Sequence, residues 1–344
     1  MILAHRKLES FAERILESVG VAAPNAKLVA HSLVASNLRG VDSHGLQLLP
    51  FYVEQMEHGN INVAAEGRVA SETGGCLIYD GENAIGQVVA EQCCGHAIRL
   101  GKAHGIAVVV ARESNHFGAA AFWAQQLSEA GLVGLVMCNA SPLVAPWQGK
   151  EPRLGTNPIC VSVPGPETWL LDMATTTVAA GKIFRAHFNH EPKIPAGWAM
   201  DAEGVPTTST ETAMNGLLMP LGGYKGSGLA MMVELFTAVL GGGAMSTQLG
   251  GIRIFGQPAR VSQSFIAIDV SRFLPAEEFH ARMEDLVAMM KSSAPAKGFD
   301  EVLVAGEPEW RTEQERLKDG IPISPGVWQD LTTIAARHGI PVPE

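Results

Sequence analysis

The apolar positions at the start of the chain recur with the period of a helix. Leu8, Phe11, Ala12, Ile15, Leu16 and Val19 share one face, and Gly20 ends the run. Pro24 suits the first turn of a second helix, which carries Leu28, Val29, Leu33 and Val34 and stops near Gly40. A third amphipathic stretch through Tyr52, Val53 and Met56 ends at Gly59-Asn60. Between the second and third, the pattern breaks at "VDSHGL", where an acid, a hydroxyl and an imidazole stand side by side before a glycine.

From about Gly67 the pattern alternates between strands and helices. "CLIYDGENA" reads as a strand and a turn, and "GQVVAEQCCGHAIRLGKAHG" as a helix with a glycine exit. "IAVVVAR" is short, apolar and β-branched, which predicts a buried strand. "SNHFG" is a loop, "AAAFWAQQLSEAG" a helix and "LVGLVMCNA" a strand. "GTNPICVSVP", "TWLLDMATT" and "SFIAIDV" add further strands. This is βαβ-like texture, so the expected class is mixed α/β with helices packed on a sheet. The segment "HEPKIPAGWAMDAEGVPTTSTE" predicts an ordered excursion on the surface. Helix returns from about Glu277. The expected division is a discontinuous helical region, residues 1–66 and 277–344, around a central α/β unit, residues 67–276.

Composition narrows the function. With 344 residues and 47% hydrophobic content, the chain can bury a large core. A net charge of −10, with no lysine or arginine block, argues against nucleic acid and anionic membranes as partners. No apolar run is long enough to cross a bilayer, and the N-terminus lacks the pattern of a signal peptide. Five cysteines, an odd number, lie mostly in apolar surroundings, which predicts free thiols and a cytoplasmic location. Cys93 and Cys94 read as buried thiols on a helix rather than a redox pair.

Several familiar devices are missing. There is no GxGxxG, no GK followed by Ser or Thr, no HExxH, no CxxC and no GxSxG. Three polar, glycine-linked loops remain. In Asp42-Ser43-His44-Gly45, the imidazole suits proton transfer near neutral pH and Ser43 suits a hydrogen bond to substrate or ring. In Ser114-Asn115-His116-Phe117-Gly118, a loop joins a buried strand to a helix. The helix N-terminus suits an anion and disfavours a charged His116. His116 is thus the better neutral hydrogen-bonding group and His44 the better acid. In "GGYKGSGLA", glycines around Lys225 allow close backbone approach and supply one positive charge, as a nucleotide would require. Taken singly, each histidine reads as structural and each glycine loop as a helix start.

In combination, "RGVDSHGL", "SNHFG", "GTNP", "LDMATT", "GGYKGSGLA" and "VAGEPEW", in this order, resemble the type 2 malate/L-lactate dehydrogenase family over nearly the whole chain. The resemblance implies an NAD- or NADP-dependent oxidoreductase with a cofactor fold other than the Rossmann fold. It also implies a central mixed sheet that carries the cofactor, a helical region built from both chain ends, and a homodimer. It makes His44 the proton donor and acceptor, with Ser43 beside it, and puts His116 at the nicotinamide; in one branch that histidine is the base. It assigns cofactor contacts to His116, Phe117, Gly118, Ser141, Asp172, Met173, Ala174, Thr175, Lys225, Val304, Ala305, Gly306 and Glu307, and a substrate contact to Thr156.

Where many members carry an arginine that grips a substrate carboxylate, this chain has Leu48. Arg39 or a backbone site is the candidate replacement, or else the substrate differs. The hydroxycarboxylate branch also lacks that arginine, and no acid stands near Lys182 as in the cyclic imine reductases. The expected reaction is therefore interconversion of a small 2-hydroxy acid and its 2-oxo acid, with cyclic imine reduction as the alternative. Two readings from other classes are a metal-dependent hydrolase or lyase using His44, His116 and Asp172, and a silent binding protein; no ligand spacing favours a metal.

Overall fold

The computed structural model describes residues 1–165 and 169–343 and, of Phe188, the backbone alone. Thr168, which opens the "TWLLDMATT" stretch, lies outside the described residues. Both chain ends build one helical layer. Strand β1 (Ile2–Leu3) leads into α1 (His5–Ser18), α2 (Ala23–Leu38) and α3 (Leu49–Glu57). Leu8, Phe11, Ile15 and Leu16 of α1 are fully buried against Val29 and Leu33 of α2.

The centre is a seven-stranded mixed sheet in the order β2 (Arg68–Thr73), β3 (Cys76–Asp80), β4 (Ile106–Ser114), β11 (Val261–Asp269), β5 (Leu132–Cys138), β6 (Ile159–Ser162), β7 (Leu170–Met173). Only β3 and β4 run parallel, joined by α4 (Gly86–His104); every other neighbouring pair is antiparallel. Helix α4 and α5 (Ala120–Glu129) pack on the sheet around Trp123, Phe117 and Phe265. Helix α8 (Tyr224–Glu234) and its π-helical continuation, Leu235–Val239, pack against β4, β5 and β11.

The surface excursion is a folded unit. Between α6 (Ala180–Phe188) and α8, the strands β8 (Ala199–Met200), β9 (Pro206–Thr207) and β10 (Leu217–Leu218) form a small antiparallel sheet beside α7 (Thr210–Met214). Ile183, Ala199, Ala213 and Leu218 give it a hydrophobic cluster of its own.

The C-terminal part comprises α9 (Ala276–Lys291), α10 (Glu307–Asp319), β12 (Ile321–Pro322) and α11 (Pro325–Arg337). Strand β12 pairs antiparallel with β1, and Ile321, Ile323, Leu331 and Ile334 join the cluster of α1 and α2. Helix α9 stays largely exposed, with Val287 its one buried residue among those described.

One polar clamp joins the two ends at "VDSHGL", which forms a short 3-10 turn, Asp42–His44. Arg316 of α10 makes a two-pronged ion pair with Asp42, Nη1 to Oδ1 at 2.7 Å and Nη2 to Oδ2 at 3.1 Å. Asn37 at the end of α2 donates to Asp42 Oδ1 at 2.6 Å and accepts from Leu46 N at 2.8 Å. The carboxylate is thereby turned from the imidazole toward α10, and the turn is held from both sides. Gly45 is required by close approach: a Cβ there would stand 2.3 Å from Asn37 Oδ1. Gly45→Ala is expected to destabilise the protein by about 1–3 kcal/mol through this crowding. The urea midpoint should fall with little change in slope; an unchanged midpoint would show that Asn37 moves aside freely and does not hold the turn.

Candidate active site

The two histidine loops, far apart in sequence, meet at one cleft of about 570 Å³ between the helical layer and the ends of β5, β6 and β7. Ligand clefts commonly run from about 300 to 1,000 Å³. The rings of His44 and His116 lie roughly parallel, with centroids 5.7 Å apart and planes at 23°.

The His116 loop is positioned by buried groups. Asn115 donates to the carbonyls of Asn83 and Ala84 at 3.1 and 2.8 Å, and Gln263 of β11 donates to the Asn115 carbonyl at 3.0 Å. The Phe117 ring packs between Trp123 and Phe265, and Trp123 Nε1 donates to the Phe117 carbonyl at 2.9 Å. Gly118, at φ +81°, turns the chain so that its N–H points back at His116 Nδ1, 3.2 Å away. The Tyr52 hydroxyl lies 2.7 Å from the same nitrogen. Burial raises the Tyr52 pKa well above its ordinary value, so the phenol keeps its proton and donates. With two donors on Nδ1, His116 is neutral and carries its proton on Nε2. Its pKa is pushed down to about 3, first by burial, then by His44 and by Arg253. The neutral state expected from the helix end thus has a different main cause.

His44 has the complementary arrangement. Its Nδ1 is 3.0 Å from the Ser43 hydroxyl. When Nδ1–H donates to Ser43 Oγ, the Nε2 lone pair is left available as a base. Its pKa is pushed down to about 4 by burial and then by the positive charge of Arg253. The cleft therefore holds one imidazole set as a donor at Nε2 and one, His44, whose Nδ1 partner is a hydroxyl that can donate or accept.

Most of the sequence-predicted residues line this cleft: Arg39, Ser43, His44, His116, Phe117, Gly118, Ser141, Thr156, Asp172, Met173, Ala174, Val304, Ala305 and Gly306. Three do not. The Thr175 side chain is buried and its hydroxyl donates to the Thr156 carbonyl at 2.9 Å. Glu307 is engaged by Lys291 at 2.6 Å and by Arg311. Lys225 is exposed on the first turn of α8, outside the cleft wall. Arg39 reaches the cleft but faces Glu313, 3.4 Å away.

The N-terminus of α5, expected to receive an external anion, already has a carboxylate: Asp172 accepts from Ala121 N at 3.0 Å. Asp172 keeps an edge open to the cleft. The walls around it nonetheless raise its pKa to about 6, against the lowering effects of the Ala121 N–H and Arg39. Among the described residues, no three His, Cys, Asp or Glu side chains converge as a metal site would require.

Two cleft features escape a reading of the sequence. Tyr52 sits on the apolar face of α3, where a tyrosine's polar tip is the available signal. Arg253 sits in an irregular segment without periodicity. Much of the wall is small: Ala119, Ala120, Ala140, Ala174 and Ala305 let a flat ring approach the backbone closely. This shape, together with the Nε2–H of His116, fits a nicotinamide nucleotide.

Comparison with known proteins shows the family and the fold. The family described as malate/L-lactate dehydrogenase matches residues 3–332. The chain is 39% identical to a malate dehydrogenase of Pyrococcus horikoshii, over 97% of this chain and 94% of that one. It is 33% identical to hydroxycarboxylate dehydrogenase B of Escherichia coli, over 97% and 93%. The solved L-sulfolactate dehydrogenase of Methanocaldococcus jannaschii superposes with a TM-score of 0.93 at 35% identity, covering 99% of this chain and 98% of that one. A Δ1-piperideine-2-carboxylate reductase of Pseudomonas syringae superposes at 0.87 with 27% identity, covering 97% and 100%. The mixed sheet, the cleft where the two chain ends meet it and these likenesses together make the chain a member of the malate/L-lactate dehydrogenase family.

Proposed function

We propose that this protein is an NAD- or NADP-dependent oxidoreductase that interconverts a small 2-hydroxy acid and its 2-oxo acid. The observation that carries the reading is the pair of facing imidazoles, His116 fixed as a donor at Nε2 by the groups on its Nδ1 and His44 backed by a hydroxyl that allows Nε2 to act as the base. A nicotinamide cofactor, when bound, supplies or accepts the hydride. The cleft residues Phe117, Gly118, Ser141, Asp172, Met173, Ala174, Val304, Ala305 and Gly306 would hold it. The proposal gives no such part to Lys225, Thr175 or Glu307.

In oxidation, His44 Nε2 takes the proton of the substrate hydroxyl, and Ser43 steadies the ring through Nδ1. In reduction, protonated His44 returns that proton to the oxygen. His116 Nε2–H donates to the same oxygen and polarises the carbonyl, while Thr156 lines the substrate end. The charge on the substrate carboxylate offsets the effect of Arg253 on His44 and so favours proton uptake by the ring.

The reaction assigned to the family's named dehydrogenases supports an oxo acid as substrate, and the structural likeness to the piperideine carboxylate reductase keeps cyclic imines as the second reading. The proposal takes the protein as a homodimer. The exposed apolar stripe of Tyr224, Met231, Leu235 and Val239 along α8 and its continuation supports a partner there. It also takes the protein as cytoplasmic, a reading supported by five free cysteines.

The test is a panel of 2-oxo acids and cyclic imines with NADH and NADPH, followed at the nicotinamide absorbance. Turnover of one or more oxo acids supports the proposal; turnover of imines alone moves it to the second reading; turnover of neither overturns it. His44→Ala should lower turnover by ~10²- to 10⁴-fold with cofactor affinity nearly unchanged, and an equal loss of cofactor affinity would remove His44 from its proton role. The pH profile tests the same assignment. Oxidation needs neutral His44, so its kcat/KM should stay flat across neutrality and decline only as pH falls toward about 4. Reduction needs the protonated ring, so its kcat/KM should fall about tenfold for each unit of rising pH through the neutral range. A break near the ordinary histidine value in either direction would contradict the depressed ionisation of His44.

A further inference from the structure

Arg253 stands in the segment "GGIRIFG", and its backbone is fixed on both flanks. The buried Gln55 amide of α3 donates to the carbonyls of Gly251, Ile252 and Ile254 at 3.3, 3.0 and 3.0 Å. The Ser141 hydroxyl donates to the Gly250 carbonyl at 2.7 Å. Four hydrogen-bonded carbonyls within five residues make this a built support rather than a loose loop. The guanidinium carbon of Arg253 then lies 4.9 Å from the centroid of the Phe51 ring and 5.1 Å from that of Phe184. Two rings hold the guanidinium in place, but they satisfy none of its N–H donors as a carboxylate would. Arg253 has no ion pair and no hydrogen bond among the described residues, although its side chain lines the cleft. The other cleft arginine, Arg39, has Glu313. The charge of Arg253 also acts on both His44 and His116. Leu48, also in the cleft wall, is apolar and offers no charge.

We propose that Arg253 is the residue that receives the C1 carboxylate of the substrate, through paired N–H donors presented between Phe51 and Phe184. This inference rests on the 2-oxo acid reading and adds the group that selects for the acid. The choice of C1 over a distal carboxylate follows from position. Arg253 lines the same cleft as both imidazoles, and its charge bears on both; those imidazoles meet the C2 oxygen, whose neighbour is C1. In this arrangement the carboxylate neutralises Arg253 and brings the 2-oxo oxygen to His44 and His116 in one movement.

The test uses the full-length protein, with Arg253→Met and Arg253→Lys. Arg253→Met should raise KM by roughly 10- to 100-fold for every 2-oxo acid that is turned over, whatever its side chain, with a smaller effect on kcat. Arg253→Lys should recover part of the loss. Cofactor affinity and the urea midpoint should stay near those of the unaltered protein, and the slow reaction of a matching 2-oxo amide should not respond. Calorimetric binding of oxamate, with reduced cofactor present, gives a readout independent of turnover and should weaken in Arg253→Met. An unchanged KM and unchanged oxamate binding would overturn the assignment, as would a loss confined to dicarboxylates. Oxamate binding that depends on Arg253 with no 2-oxo acid turned over would keep this inference and sink the proposed reaction. Turnover that ignores Arg253 would do the reverse. No turnover and no oxamate binding would sink both.

Discussion

His116 Nδ1 accepts hydrogen bonds from the Tyr52 hydroxyl and the Gly118 N–H, and the chemistry of the cleft depends on that double acceptance. An imidazole nitrogen that already accepts cannot carry a proton. The ring is therefore neutral, its Nε2–H is committed as a donor, and it cannot compete with His44 for the substrate's proton. His44 is not fixed in that way: its Nδ1 meets the Ser43 hydroxyl, which can accept from it and so leave Nε2 free as a base. Two histidines at 5.7 Å would otherwise repel one another when charged, or exchange roles when neutral.

The scaffold that brings these rings together is built from distant pieces of chain. The His44 turn is held by Asn37 of α2 and Arg316 of α10, and Tyr52 comes from α3, so the helical layer supplies half of the site. The sheet supplies the other half, with Gln263 of β11 holding the His116 loop by its Asn115 carbonyl. The antiparallel pairing of β1 with β12 closes the layer by fastening the first residues to the last helices. Burial of His44 and His116 in this joint lowers both of their pKa values, so the joint also sets their protonation.

What could be read in the sequence follows where local pattern dominates. The strands through Val109, Val136 and Phe265 carry apolar runs because both faces of the sheet are covered, and they were legible for that reason. Strand β2 was not, because all six of its residues are exposed and carry no alternation. The small sheet around Ala199 and Leu218 escaped because its strands are two residues long, too short for any period. The two histidine loops could be singled out by residue type and their places at element ends. Their meeting is a tertiary fact that local pattern does not carry, and only the family resemblance implied it. Local pattern does not carry Arg253 either, whose setting depends on Phe51 and Phe184 from separate helices. Asp42 is the converse case: beside His44 in sequence, it is drawn off by Arg316.

The most direct measurement is side-chain ¹⁵N NMR of the histidines at neutral pH, with resonances assigned through His44→Gln and His116→Gln. His116 should show a bare Nδ1 and a protonated Nε2, and Tyr52→Phe should shift the Nδ1 signal. A charged His116 ring at neutral pH, or a proton on its Nδ1, would contradict the arrangement from which the roles of both histidines follow.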